Sequence, residues 1–384
     1  MFNLLIKSFL FFITIEYSQS SDFNWFGNLR YRILQDKETN SIGNVSSSSE
    51  MRSRLGLIFN KKNISASFVL QDSKTIGGLS NFSGVTSPPP GPFLYEVYFK
   101  ANNSKELLQF GRFEMALGNQ RILSKNNWNN VGRTFEGVLL TEKRYKHAEI
   151  KVFSVGLNES KNTYHDDSKD TWLNGAYINY KIPTLEKSVF DIYTINFRNP
   201  LKADQYSIYG GRTDANFNTI NLESEFAIQS GDSISSSLLS INVSWLPKNT
   251  SFLNKITLGY DNISENDNTT LVKEGFSKYF GARHKFHGFY DYKDHKKFMD
   301  NLHDGLNEIN VKFNLNFLNK SNLLIAIHNF KNGKNTITYG NEIDFIIKRK
   351  ISESLSFESG LIFYKPENET ETLPFSYLAL TASI

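Results

Sequence analysis

Residues Glu308–Leu318 read EINVKFNLNFL. Ile309, Val311, Phe313, Leu315 and Phe317 alternate with Glu308, Asn310, Lys312, Asn314 and Asn316. A helix would bring apolar residues round at every third or fourth position. Strict period two over a run of this length is a strand with one apolar face and one wet face. Thr219–Ser230 repeats the pattern, setting Ile220, Leu222, Phe226 and Ile228 against Asn221, Glu223, Glu225 and Gln229. Asn24–Leu34 sets Leu29, Tyr31 and Ile33 against Asn28, Arg30 and Arg32, and Met51–Asn60 sets Leu55, Leu57 and Phe59 against Arg52 and Arg54.

Carried through the chain, this reading predicts about eighteen strands, an even number, as single-chain bacterial barrels have. The connections support it, because short turns such as Lys61-Lys62 and Tyr145-Lys146 alternate with long stretches such as Leu117–Gly132 and Ile263–Gly305. That alternation is the mark of a barrel with tight periplasmic turns and long outer loops. The predicted fold is therefore all-β, a transmembrane antiparallel barrel of the outer-membrane type. Closure requires Asn24–Leu34 to pair with Phe375–Ile384. A β-sandwich of this length would split into domains, and a propeller or solenoid needs a fixed sequence repeat, which is absent. The strongest breaker, SPPPGP at Ser87–Pro92, lies inside a connection.

Composition agrees. Aromatics reach 14% with a mean hydropathy of −0.39, as expected where only alternate residues face lipid. No apolar run is long enough for a transmembrane helix. Cysteine is absent, which excludes disulfide staples and thiolate metal sites. A formal charge of +4 without a basic stripe does not point to nucleic acid. Residues 1–20, MFNLLIKSFLFFITIEYSQS, have one basic residue, a short apolar core and small residues at Ser18 and Ser20, so a signal peptide cleaved near Ser20/Ser21 is expected. Residues 21–384 are then a single outer-membrane barrel.

The candidate site is centred on Leu107–Leu140, LLQFGRFEMALGNQRILSKNNWNNVGRTFEGVLL. Two Gly-Arg pairs, at Arg112 and Arg133, bracket a polar loop with Arg121 and Trp128. Parity sends Arg30, Arg32, Arg52 and Arg54 into the lumen, with Arg112 and Glu114 on one face and Phe113 and Met115 on the other. Such a wall either raises anion concentration in a lumen or is a structural ladder of paired charges. Glu223, Glu225, Glu342, Asp344 and Glu358 also point inward by parity, so the field runs across the lumen. Trp128 is placed either as a stacking platform for a sugar, with Asn129 among the neighbouring amides, or as an ordinary packed loop side chain. His284 and His287 are three apart, a spacing that serves a metal on a helix. In a Tyr- and Lys-rich outer loop they are read as solvated, and no metal or cofactor is assigned. No Ser-His-acid order with a local signature occurs, which speaks against a hydrolase.

The stretch from Phe110 to Val138, GRFEMALGNQRIL followed by NWNNVGRTFEGVLL, resembles the alginate-export family of outer-membrane porins. YFGARHKFHGFYDY with GLNEINVKF, and NEIDFIIKRKI further on, are similar to later blocks of that family. The resemblance implies a Gram-negative outer-membrane barrel whose Arg-lined pore passes a polyuronate in the founding members. By motif, Arg112, Arg121 and Arg133 become the pore candidates. Phe113 departs from the family's polar residue, and the chain is shorter than the founding exporters. The expected function is passage of hydrophilic, anionic saccharides or small solutes across the outer membrane. Outer-membrane lipid is its surroundings and secretion partners are unknown. A general porin is the alternative, and an enzyme or adhesin the remaining one.

Overall fold

The computed structural model describes residues 22–37, 45–76, 91–157, 171–199, 204–231, 233–248, 250–267, 269–277, 280–282, 284–290, 305–318 and 320–384. The signal-peptide segment and its cleavage point lie outside these residues. Among the described residues eighteen strands make one sheet. They are β1 (Asp22–Lys37), β2 (Val45–Lys61), β3 (Ile64–Ile76), β4 (Phe93–Asn102), β5 (Glu106–Phe113), β6 (Phe135–Glu142), β7 (Ala148–Leu157), β8 (Trp172–Lys181) and β9 (Val189–Asn199), followed by β10 (Asp204–Phe217), β11 (Ile220–Gly231), β12 (Ile234–Trp245), β13 (Leu253–Ile263), β14 (Leu306–Asn316), β15 (Ser321–Lys331), β16 (Thr338–Lys350), β17 (Leu355–Pro366) and β18 (Leu373–Ser383). Every strand pairs antiparallel with its sequence neighbours, and β1 also pairs with β18, from Asn28↔Ser383 to Asp36↔Phe375. The sheet is thus a closed barrel without a free edge, the form in which a spanning sheet satisfies all its backbone groups.

Alternation decides which side chains go where. Trp25, Leu29, Tyr31 and Ile33 of β1, Phe68 and Leu70 of β3, and Ile343 and Phe345 of β16 stay accessible and form the apolar outer belt. Their sequence neighbours Arg30, Arg32, Gln71, Glu342 and Asp344 are buried in the interior. Two irregularities shape the wall near the candidate site. Opposite Val69 and Leu70 the register jumps from Glu96 to Leu94, so β4 carries one unpaired residue, Tyr95. This bulge lets adjacent Tyr95 and Glu96 both face inward. Gly111 and Gly137 face each other on β5 and β6 with φ of +118° and +153°. A Cβ there would lie 2.3 Å and 2.1 Å from the carbonyl oxygens of Val97 and Ser154, so only glycine fits.

The interior is not an open tube. The connection 114–134 after β5 and the described part of the connection 264–305 after β13 turn inward from the same end of the barrel. Phe113 at the end of β5 and Met115, Leu117 and Leu123 of the first connection join Phe276, Phe280 and Tyr290 of the second in one apolar core with wall residues such as Phe153, Ile195, Phe197, Phe330 and Tyr364. Main-chain bonds link the two: the Ser124 N–H donates to the Phe280 carbonyl (2.7 Å) and the Ala282 N–H to that of Gln120 (2.9 Å). The 264–305 connection was expected to be a solvated outer loop, and its described part instead packs inside the barrel. Its Phe and Tyr residues are the physical reason, since burying each of these rings removes a large apolar surface from water.

Candidate functional site: an infolded constriction

The residues predicted by parity on β1 and β2 all reach the tip of the 114–134 connection. Arg30 donates to the carbonyls of Asn127 (2.8 Å) and Asn129 (3.1 Å). Arg52 donates to the same two, at 3.0 and 3.2 Å. Arg54 binds Gln71 Oε1 (2.6 Å), Glu114 Oε1 (3.0 Å), Asn127 Oδ1 (3.0 Å) and the Val131 carbonyl (3.3 Å). Its guanidinium also stacks 4.0 Å from the centre of the Tyr95 ring. Arg32 forms a buried ion pair with Glu50, both 1% exposed, and covers Trp128 at 4.5 Å. These arginines, which the sequence leaves as either an anion-concentrating wall or a structural ladder, form the cradle of a loop. A planar guanidinium suits this task because its fork of donors can grip two carbonyls while its charge persists at any working pH.

Glu114 lies one residue beyond the end of β5 and points inward. It accepts from Tyr95 Oη (2.8 Å) and Asn127 Nδ2 (3.2 Å) as well as from Arg54. Arg112 does not share its face. It keeps the parity of exposed Leu108 and Phe110 and lies on the outer surface of β5. There Nε donates to Glu136 Oε1 (2.5 Å) and Nη1 to the Leu94 carbonyl (2.8 Å). Phe113 and Met115 fill the interior at 0% and 4% exposure. The expectation for Arg112 and Phe113 is thus reversed, because the strand ends at Phe113 and the two-residue rule lapses before Glu114.

Arg121 crosses to the far wall. It is 1% exposed, ion-paired with Asp261 (3.0 Å), 3.8 Å from Glu225, and packed 3.9 Å from the Phe286 ring centre. Arg133 donates to the carbonyls of Ser124 (3.1 Å) and Phe280 (2.5 Å), joining the two connections. Trp128 is held by His284 (4.7 Å), Tyr377 (4.9 Å) and Phe289 (5.4 Å) between ring centres. Burial, then the nearby charges of Arg32, Lys348, Arg30 and Lys285, push the His284 pKa down to about 3, so the imidazole is neutral.

Several residues that the sequence places outside the candidate site also matter here. Glu342 Oε1 accepts the main-chain N–H groups of Phe289 (2.7 Å) and Tyr290 (3.0 Å). His287 Nδ1 lies 2.5 Å from Glu308, and His328 Nδ1 lies 2.7 Å from the other oxygen of that carboxylate. The inward parity of Glu308 and His328 was the available signal. His287, read from its loop as solvated, is buried instead, carried inside by the aromatics around it.

Below the constriction, on the side of the short turns 317–320 and 351–354, lies a recess of about 710 Å³. Arg30, Arg32, Arg52, Trp128, His284 and Lys348 form its inner wall. Among its described lining residues seven are Arg or Lys and two are Glu. Short turns are periplasmic in barrels of this kind.

The sequence matches the family described as Alginate export over residues 64–344. This chain belongs to the alginate export family. A comparison with curated proteins found no match. Among solved structures the family barrel is similar to Acinetobacter baumannii OccAB4, with a TM-score of 0.65 at 12% identity, covering 96% of this chain and 100% of that one. It is also similar to Pseudomonas aeruginosa OccK5 (OpdH) and to a BenF-like porin from Pseudomonas fluorescens Pf-5, each with a TM-score of 0.64, 12% identity, and 94% and 98% coverage. At that identity the likeness is one of fold. This alginate export family member thus has the closed β-barrel fold of outer-membrane porins.

Proposed function

We propose that the barrel passes hydrophilic, anionic saccharides or small anionic solutes by diffusion, entering or leaving through the basic recess. The observation that carries this is the excess of seven basic over two acidic residues among those lining the recess. Hydrogen bonds from Arg30 and Arg52 to main-chain carbonyls orient the guanidinium groups without cancelling their charge. A low-dielectric cleft of one sign concentrates counter-ions. In this reading Trp128 and Asn129 shape the constriction, Trp128 lines the recess, and no residue acts in catalysis. The signal peptide is part of the same proposal, and N-terminal sequencing of membrane-extracted protein should start near Ser21.

The test is the reversal potential of single barrels in a planar bilayer under a KCl gradient. Anion preference is expected, and Lys320→Gln/Lys348→Gln/Lys350→Gln should reduce it while leaving the arginine cradle intact. Cation preference, or a triple variant indistinguishable from the parent, would overturn the reading. The acidic groups on the opposite wall favour a second reading, a general porin. Equal swelling rates of proteoliposomes in neutral and acidic sugars of matched size would favour it.

A further inference from the structure

Across the lumen from the arginine cradle, three side chains converge without a role in the reading above. Asp261 and Glu308 are direct cross-strand partners on β13 and β14. His287 reaches them from the infolded 264–305 connection. One donor atom from each lies within 4.8 Å of the others. The residues are 3%, 0% and 0% exposed.

Each carboxylate is anchored on its far side and turned toward the imidazole on its near side. Asp261 Oδ1 sits 3.0 Å from Arg121 Nη1, while Oδ2 is 3.7 Å from His287 Nδ1. Glu308 Oε1 accepts from Asn310 Nδ2 (2.9 Å) and lies 2.7 Å from His328 Nδ1, while Oε2 is 2.5 Å from His287 Nδ1. Outer partners that fix ligand orientation in this way are a regular part of built metal sites.

Charge gives a second, separate observation. Glu342 and Asp344 extend the cluster, so four carboxylates at 3% exposure or less share one buried region. Asp344 Oδ2 lies 3.6 Å from His328 Nε2. Glu342 and Asp344 hydrogen-bond to one another, and Asp344 also receives the Phe289 main-chain N–H. Arg121 and Lys312 supply positive charge to this region, Lys312 donating to the Phe286 carbonyl at 3.2 Å. Within this region it is Asp261 and Glu308 that turn a carboxylate oxygen each toward one imidazole nitrogen, a donor set for a cation.

The geometry points to a divalent transition-ion site on Asp261, His287 and Glu308, best fitted by Zn²⁺, that fastens the 264–305 connection to the wall. One imidazole nitrogen and two carboxylate oxygens, completed by water, make a tetrahedral zinc set. The imidazole selects against Mg²⁺ and Ca²⁺, which take oxygen ligands. Binding requires neutral His287 with Nδ1 free to ligate, so the proton shared with Glu308 is released to solvent. The site is independent of anion passage: it could exist in a barrel with no selectivity at all.

The experiment uses the full chain in detergent, stripped with EDTA and titrated with ZnCl₂ by calorimetry, and with Co²⁺ followed by visible absorption. One saturable site per chain is expected, with the visible bands of a low-coordinate cobalt centre. His287→Gln should abolish both signals, and Glu308→Gln should do the same. His328→Ala should weaken zinc roughly 10- to 100-fold at unchanged stoichiometry, since it acts through Glu308. His147→Ala, in a short turn at the other end, should change nothing. Folding of each variant is read from heat-dependent gel migration. If Glu308→Gln fails to fold, His287→Gln decides alone, because His287 lies outside the strands. Absence of saturable binding, or full binding retained in His287→Gln, would overturn the assignment.

Discussion

The β1–β2 wall and the β13–β16 wall each hold an infolded connection, and they do it with opposite chemistry. On β1 and β2, Arg30, Arg52 and Arg54 donate to main-chain carbonyls of residues 127–131. On β14 to β16, Glu342 accepts main-chain N–H groups of Phe289 and Tyr290, and Glu308 holds His287. Both satisfy the polar groups that any irregular backbone brings into an interior. The difference lies in what remains. The guanidinium wall retains a charge that no working pH removes. The carboxylate–imidazole wall is made of groups that titrate and that bind cations. One wall suits a constant field, and the other suits regulation.

The largest effect that would break this comparison is expected at Arg32. Arg32→Leu leaves Glu50 buried without its counter-charge and should cost about 3–5 kcal/mol in urea unfolding. Arg32→Leu/Glu50→Leu should regain most of that. A single variant as stable as the parent would show that the pair does not brace the wall. Next, Glu342→Ala should remove the acceptor for two buried donors, a loss of about 1–3 kcal/mol each. Hydrogen exchange at Phe289 and Tyr290 should accelerate, and Glu342→Gln, which keeps a carbonyl oxygen, should stay close to the parent.

His284 sharpens the comparison on the basic side. Its folded pKa of about 3 lies below the ordinary value of 6.5. Between those values the unfolded chain binds a proton that the folded chain does not. Stability is therefore full above pH 6.5 and falls as the pH drops toward 3, by about 1.4 kcal/mol per unit from this group. His284→Phe should flatten that part of the unfolding profile, and an unchanged slope would place the imidazole in water. The smallest effect is expected at Arg112. Its pair with Glu136 is on the outer surface and partly exposed, so Arg112→Ala should cost about 0–1 kcal/mol and leave the reversal potential unmoved. A shift in selectivity would return Arg112 to the lumen.

Strand count, closure and the inward parity of Arg30, Arg32, Arg52 and Arg54 were legible in the sequence, because period two is enforced residue by residue in a wall with lipid on one side. Parity stops at a strand end, and so it misplaced Arg112 and Phe113 around the start of the inward turn. It also says nothing of where a connection goes. The inward course of 114–134 agrees with the pore role that the family resemblance implies for Arg121 and Arg133. That of 264–305 depends on distant partners such as Glu308, Glu342 and Phe330, none of which shows in the local sequence.

The bonds between the two connections have a consequence for how the molecule is made. Arg133 and Phe280 are 147 residues apart in the chain, and Ser124 and Gln120 bond to the same distant segment. Adjacent hairpins can pair as soon as each is synthesised, but neither connection can complete its seat before β14–β16 are in place. Contacts so remote in sequence are slow to form. Interior seating is thus the late event of assembly, after the hairpins have paired, and the wall is built before the passage is defined.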